Sequence, residues 1–160
     1  MANEILVKNG TTKVWKSSAG DAVFTGTSVA NNAGRIGGAL DMGATRAGRY
    51  RVQVITKFVA TPTSGLTLAV YLVRSDDNTT RDANLGSSDA AVSDADLPPQ
   101  CLFCGVLSAD NVTTQQVASF EVETGARYLS PLLWNATGAA LSATAGDHII
   151  NITPIVTEVQ

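Results

Sequence analysis

An all-β fold follows from three observations along the 160 residues. Turn-forming residues recur at short intervals, the stretches between them are rich in Val, Ile, Thr, Phe and Tyr, and no long stretch carries a helical period. The predicted architecture is a two-sheet antiparallel β-sandwich, with the jelly roll as its leading version. An immunoglobulin-like sandwich comes second, because Cys101, Cys104 and the tryptophans lack the cross-sheet spacing of antibody domains. This length makes one domain, 1–160, whose folding hides roughly 70% of the extended surface.

The elements can be taken in order. Asn9-Gly10 suits a type I′ turn and predicts an N-terminal hairpin over 4–16. In that register Ile5 faces Val14 and Val7 faces Thr12, while Leu6 and Trp15 lie on the other side, so both faces are apolar and open to being covered. Strands are expected at 21–29 and 35–42, separated by a turn around Asn31–Gly34. The stretch 48–60 alternates most clearly, with Tyr50, Val52, Val54, Thr56 and Phe58 on one face and Arg51, Gln53 and Lys57 mostly on the other. A tight connection at 61–65 predicts that this strand pairs antiparallel with 66–73. The pattern then gives way to a long polar loop, 74–100, of a length that usually marks a functional or interaction arm. Further strands are expected at 101–107, 114–123, 127–134 and 148–156, with a short one near 139–144. Pro154 suggests that the last of them ends on a sheet edge.

Composition narrows the function classes. The longest apolar run, Leu68–Val73, is far short of the roughly 20 residues of a membrane helix, and no secretory signal can be read near the start. A soluble chain with no membrane partner is expected. A net charge of -3 disfavours nucleic acid as a partner. Charged residues are 16% of the chain, against roughly 25% in an average soluble domain, which hints at a surface that is covered in use.

The search for reactive groups finds none that assemble. Cys101 and Cys104 have redox or zinc spacing, but residues three apart on a strand point to opposite faces, roughly 10 Å apart. A disulfide needs Cα atoms within about 7 Å. With one His and no second Cys pair, a zinc site is not expected, and buried free thiols are. Asp147-His148 with the many serines permits a hydrolytic triad only in imagination, since no Gly-x-Ser-x-Gly elbow is present. The glycine-rich stretch 34–43 lacks a phosphate-loop ending. Asp89, Asp94, Asp96 and the Asp76-Asp77-Asn78 cluster lack EF-hand spacing and read as a solvated loop. No catalytic residue, cofactor or metal is expected.

One charge feature is distinctive. Arg35, Arg46, Arg49 and Arg51 share their stretch with Asp41 alone, whereas Asp76, Asp77, Asp82, Asp89, Asp94 and Asp96 share theirs with Arg81 alone. Each group can simply face water, or the two can dock between copies or onto a neighbour. With Ile5, Leu6, Val7, Val14 and Trp15 of the hairpin, these residues are the candidate interaction set.

The opening Met1-Ala-Asn-Glu-Ile-Leu-Val-Lys, the run Ala30-Asn-Asn-Ala-Gly-Arg-Ile-Gly followed by Gly48-Arg-Tyr-Arg, and Ala145-Gly-Asp-His together resemble small virion proteins of tailed bacteriophages. The resemblance implies a capsid cement or decoration protein, a jelly-roll structural subunit made in the host cytoplasm. Its implied partners are the major capsid protein and itself, as homodimer or homotrimer on the capsid surface. A tail, baseplate or head-fibre subunit is the alternative. A carbohydrate-binding sandwich stands behind both, because aromatics are only 6% of the chain.

Overall fold

Alternation with period two is cleanest where the molecule is most deeply buried. The computed structural model describes residues 5–159. Its strands are β1 (Ile5–Asn9), β2 (Lys13–Lys16), β3 (Ala22–Val23), β4 (Ala33–Ile36), β5 (Leu40–Asp41), β6 (Arg49–Thr56), β7 (Thr67–Ser75), β8 (Ala90–Val92), β9 (Leu102–Ser108), β10 (Gln116–Glu123), β11 (Tyr128–Ala136) and β12 (Ile149–Val159). One sheet runs β10-β6-β12-β2-β3, with β1 also on β12; the other runs β8-β4-β11-β7-β9, with β5 also on β11. If β1 with β2, and β4 with β5, are each taken as one interrupted strand and the short flanking strands β3 and β8 are set aside, the two sheets hold the first, eighth, third and sixth strands and the second, seventh, fourth and fifth. That is the jelly-roll order, and the fold is the expected two-sheet β-sandwich.

The core lies between the sheets. Tyr50, Val52, Val54 and Phe58 from β6 and its extension meet Leu68, Val70 and Leu72 of β7, with Trp15, Phe24, Leu129, Leu133, Ile150 and Ile152 around them. The inward face predicted for 50–58 is therefore the core face. A second apolar cluster lies on the outer face of the second sheet, where Ile36, Val73 and Leu132 pack against Val92, Cys101, Leu85 and Leu97.

That second cluster corrects the reading of 74–100 as a long polar loop without structure of its own. The segment folds back over its own sheet through short 3-10 turns at Asp82–Asn84 and Pro98–Gln100 and through β8, which pairs with β4. Polar spacing hid the few anchors that hold it down. Val92, Pro98 and Arg81 are buried. The Arg81 guanidinium donates to Ser130 Oγ of β11 and, at 2.9 Å, to Asn78 Oδ1, and burial lowers its affinity for its proton. Arg35 of β4 grips Asp89 with two bonds of 2.9 and 2.6 Å, and Arg74 grips Asp82 at 2.7 Å. Burial alone would raise the Asp89 carboxyl, but the bonds from Arg35 and Thr25 outweigh it and hold the group below its ordinary value.

Further expectations are corrected. The predicted hairpin is one edge strand: β1 pairs with 155–159 of β12 and β2 with 150–152, and the pairing shifts by one residue between them. Asn9-Gly10 thus opens a bulge instead of a turn, since β12 offers a longer partner than a two-strand ribbon could. Glu4 lies outside the described residues. Pro154 is on a central strand, not an edge. Its carbonyl accepts from Gly10 N–H at 2.7 Å, so its missing N–H points at the bulge, where no ladder bond is required. The strands β6 and β7 do not pair; 57–66 crosses from one sheet to the other, because each strand buries its own face against the opposite sheet. The stretch 21–29 supplies only β3, and 35–42 breaks at Gly37-Gly38, where Gly37 passes so close to Pro131 that a Cβ would sit 2.9 Å from its ring. Near 139–144 only a single bridge forms, Phe58 to Leu141.

Replacing Arg81 with Ala removes the fastening of the cover and strands the buried Ser130 hydroxyl, so urea denaturation should show a loss of about 2 kcal/mol, with Arg81→Met losing less. Equal stability of Arg81→Ala and the parent protein would show that the cover is held by its apolar contacts alone.

Candidate functional site

Because the cover occupies the outer face of the second sheet, the outer face of the first is the broad surface left open. It is polar, and its side chains meet in cross-strand rows. Ser119 of β10, Gln53 of β6 and Asn151 of β12 are register partners, with Asn151 Nδ2 donating to Gln53 Oε1 at 3.1 Å and Gln53 Nε2 to Ser119 Oγ at 3.4 Å. In the next row Arg51 reaches Glu121 at 3.3 Å, Arg49 also bonds Glu121, and Thr12 meets Thr153 at 2.7 Å. The two guanidiniums hold the Glu121 carboxyl below its ordinary value. On the other side of the Gln53 row, Val117 stands exposed opposite Ile55.

At the end of the sandwich where β6 begins, two clefts flank Arg46. One, of about 760 Å³, is lined by Arg74–Asp77, Thr80–Asp82 and Thr124–Ala126. The other, of about 550 Å³, lies between 46–49, Glu123, Val7 and Ile155–Thr157. Arg46 divides them by donating to the Gly125 carbonyl and lying 3.5 Å from Asp76. No aromatic side chain lines either cleft.

The predicted interaction residues separate into different roles. Arg49 and Arg51 are on the open face, and Leu6 and Val7 are exposed on β1. Val14 is half-buried, the Ile5 side chain is outside the described set, and Trp15 is in the core with its indole N–H donating to the Gly38 carbonyl at 2.8 Å. The charge polarity along the chain resolves largely within it, since Arg35 pairs with Asp89 and Arg46 with Asp76. Asp82 holds Arg74, while Asp94 accepts from the Asp96 amide and Asp96 stays exposed. Asp77 closes a turn by accepting from the Thr79 and Thr80 amides, both at 2.8 Å, and its carboxyl falls to about 2. Among the described residues no three of His, Cys, Asp and Glu converge as a metal site would require.

The groups with reactive chemistry are turned inward. His148 is 1% exposed, with Nε2 at 2.9 Å from the Ser142 carbonyl and Nδ1 at 2.8 Å from Thr56 Oγ1. A carbonyl only accepts, so Nε2 carries the proton and Nδ1 accepts from Thr56. The Ser142 hydroxyl donates to Asp147 at 2.7 Å and not to the imidazole, so these three residues form no triad. Cys101 and Cys104 are free thiols that serve different cores, one under the cover and one packed against the main core, as opposite strand faces require. Burial pushes their thiols up to about 11 and about 12.

No protein-family model matches the chain, and no curated protein is recognisably similar in sequence. Among solved structures, the C-terminal CBM6 of LamC, a marine laminarinase from Zobellia galactanivorans, is 14% identical with a TM-score of 0.50, covering 89% of this chain and 99% of that one. The C-terminal domain of EclA, titled a sugar-binding protein, is 12% identical with a TM-score of 0.32, covering 99% and 79%. The first likeness is one of fold and places the chain among β-sandwich domains.

Both thiols should be unreactive toward a disulfide reagent at pH 8 in the native protein and should titrate fully once it is denatured. Native reactivity at the rate of a free thiol would contradict their burial. His148 yields a pH dependence, because burial lowers its proton affinity in the fold while the unfolded chain keeps the ordinary value near 6.5. The unfolded state then binds more protons as pH falls through 6.5, so stability is full above that value and declines below it. In His148→Gln the slope between pH 6.5 and 5 should vanish, a comparison that chemical denaturation across this range can make.

Proposed function

We propose that this chain is a non-enzymatic structural subunit of a virion that binds an assembled phage shell in many copies and holds it against disruption. The observation that carries the proposal is the asymmetry of the sandwich: one sheet is sealed by the chain's own cover, and the other presents a broad, ordered, polar face with exchangeable ion pairs. Exposed pairs such as Arg49 and Arg51 with Glu121 contribute little each, so they can be traded for pairs with a partner at little cost. The inward turning of His148 and both thiols supports a role through binding alone, and the resemblance of the sequence to virion proteins supports the shell as the partner. A subunit that binds the intact lattice and not its dissociated parts opposes disassembly by RT ln(1 + [L]/Kd) per site, so modest affinity repeated over a shell is sufficient.

The test is to add purified protein to shells lacking it and to follow genome release on heating. A higher release temperature is expected, and reversal of both Arg49 and Arg51 to Glu should weaken shell binding about tenfold. An unchanged release temperature at saturation rejects the cementing role. Failure to bind shells, together with a few copies per purified particle by mass spectrometry, moves the assignment to the tail, baseplate or fibre.

A second reading is favoured by the Ser119, Gln53 and Asn151 row, whose amides can both donate and accept hydrogen bonds as a polyhydroxylated ligand demands. The fold likeness to a carbohydrate-binding module agrees with it, while the absence of aromatics from both clefts speaks against it. Binding to a glycan panel with no binding to shells would favour this reading.

A further inference from the structure

The strand β12 outruns its neighbour. Its pairing with β6 stops where Ile155 meets Arg49, yet β12 continues to Val159 paired only with β1. The result is a two-stranded ribbon standing past the end of the sandwich. The register sets Leu6 against Glu158 and Lys8 against Val156, and Gly10 N–H donates to the Pro154 carbonyl on the same alternation. In an antiparallel ladder the main-chain groups of Leu6, Lys8 and Gly10 therefore turn toward β12, and those of Ile5, Val7 and Asn9 turn away from it. On that outer side β3 fills the line only beside Trp15 and Lys16. Asp21 closes it at Val14, taking the Val14 N–H on its carboxylate at 2.7 Å and donating its own amide to the Val14 carbonyl at 2.8 Å. Beside β1 itself, among the described residues, the outer side holds no strand.

The other sheet edges are protected among the described residues. β3 has two residues and β8 three, and β9 closes against β10 so tightly that a Cβ on Gly105 would lie 2.3 Å from the Phe120 ring. Short edges and closed seams are how soluble sheets avoid pairing with other chains. β1 has neither device: it is five residues long, and Leu6 and Val7 are exposed on it. Its one charge is already engaged, because Lys8 pairs with Glu158 across the ribbon. A two-stranded ribbon without a core behind it is marginal in water, and further strands are what stabilise it.

We propose that β1 pairs with β1 of a second copy, antiparallel about a two-fold axis at Val7, so that the two ribbons join into one sheet in the order β12-β1-β1-β12. The edge is self-complementary in this register. With Val7 opposite its own counterpart, Ile5 of each copy meets Asn9 of the other, and each of these pairs exchanges both of its main-chain hydrogen bonds. A shift by two residues leaves one of the outward residues without a partner, and in one direction it sets Lys8 against Lys8. In the Val7 register, Thr157 and Val7 of both copies form one cross-strand row of β-branched side chains. On the opposite face Leu6 falls beside the Lys8 of the other copy, whose aliphatic stem covers it while the ammonium stays with Glu158. The two bodies keep clear of each other. Residues 9–16 of the second copy run off past Ile5, on the outer side of β1 where the first copy has no strand, and its β12 lies farther out still. The sandwiches thus lie toward opposite ends of the shared sheet. The contact uses the same patch on both chains, so it is isologous and closes as a dimer. It stands independently of what the dimer attaches to.

Sedimentation equilibrium of the full chain up to millimolar concentration tests this, and a mass of two chains is expected. Val7→Lys and Val7→Glu each set like charges directly opposite one another across the axis, so each alone should raise the dissociation constant about tenfold or more, while the dilute single chain keeps its thermal midpoint. Mixed in equal amounts, the two variants should pair again, because the axis brings position 7 of one copy against position 7 of the other. Val7→Pro deletes an N–H that the ribbon does not use internally and should also give single chains. A parent protein that stays a single chain at every concentration overturns the proposal. So does an assembly that Val7→Lys leaves intact, or a mixture of the two charged variants that fails to pair.

Discussion

The fastening of 74–100 to the outer face of its own sheet is the constraint on which the rest of the surface depends. A sandwich has two outer faces, and an apolar outer face left in water is a liability that a partner or the chain itself must cover. Here Ile36, Val73 and Leu132 make one such face, and the cover meets them with Val92, Cys101 and Leu97. Each fully buried aliphatic side chain is worth roughly 1.5 to 3 kcal/mol, enough to hold a segment that is otherwise Asp, Asn, Ser and Ala. Arg81, Asp82 and Asp89 then set where it lies, through Ser130, Arg74 and Arg35. With that face sealed, the polar face of the other sheet is left for encounters with anything else.

The same logic of covered and uncovered groups runs along the edges. Pro154 can sit inside a sheet only because the strand beside it bulges at Gly10, and the bulge lets residues 5–16 follow β12 for most of its length. That extension carries β1 past the sandwich and creates the ribbon. A hairpin at Asn9-Gly10 would have folded 5–9 onto 12–16 and left β12 with a bare edge. The glycine therefore acts here through a change of register rather than a change of direction.

His148, Ser142 and the two thiols are each committed to partners inside the fold. His148 is committed to Thr56 and the Ser142 carbonyl, the Ser142 hydroxyl to Asp147, and each thiol to apolar packing. These are the bonds a buried polar group must make to offset its desolvation, and they leave the open face and the ribbon as the places where function can reside.

How much of this was legible in the sequence depends on the range of the interaction. Residues 50–58 and 67–75 announce their buried faces, since period-two alternation is a local property of a half-buried strand. Cys101 and Cys104 announce their separation for the same reason. The two-sheet β-sandwich class, the inward face of β6 and the separation of the two thiols were therefore determined by the sequence alone. Strand partners were not. Asn9-Gly10 is as good a turn as it is a bulge, and 61–65 is as good a hairpin loop as it is a crossing between sheets. Either choice satisfies the local backbone, so the long-range burial of β12, β6 and β7 decided between them. Likewise the charges of 35–51 and 76–96 were visible, but whether they meet within one chain or between chains depends on where 74–100 lies. That was decided only by tertiary structure, through a handful of apolar anchors spaced too irregularly for any period to reveal.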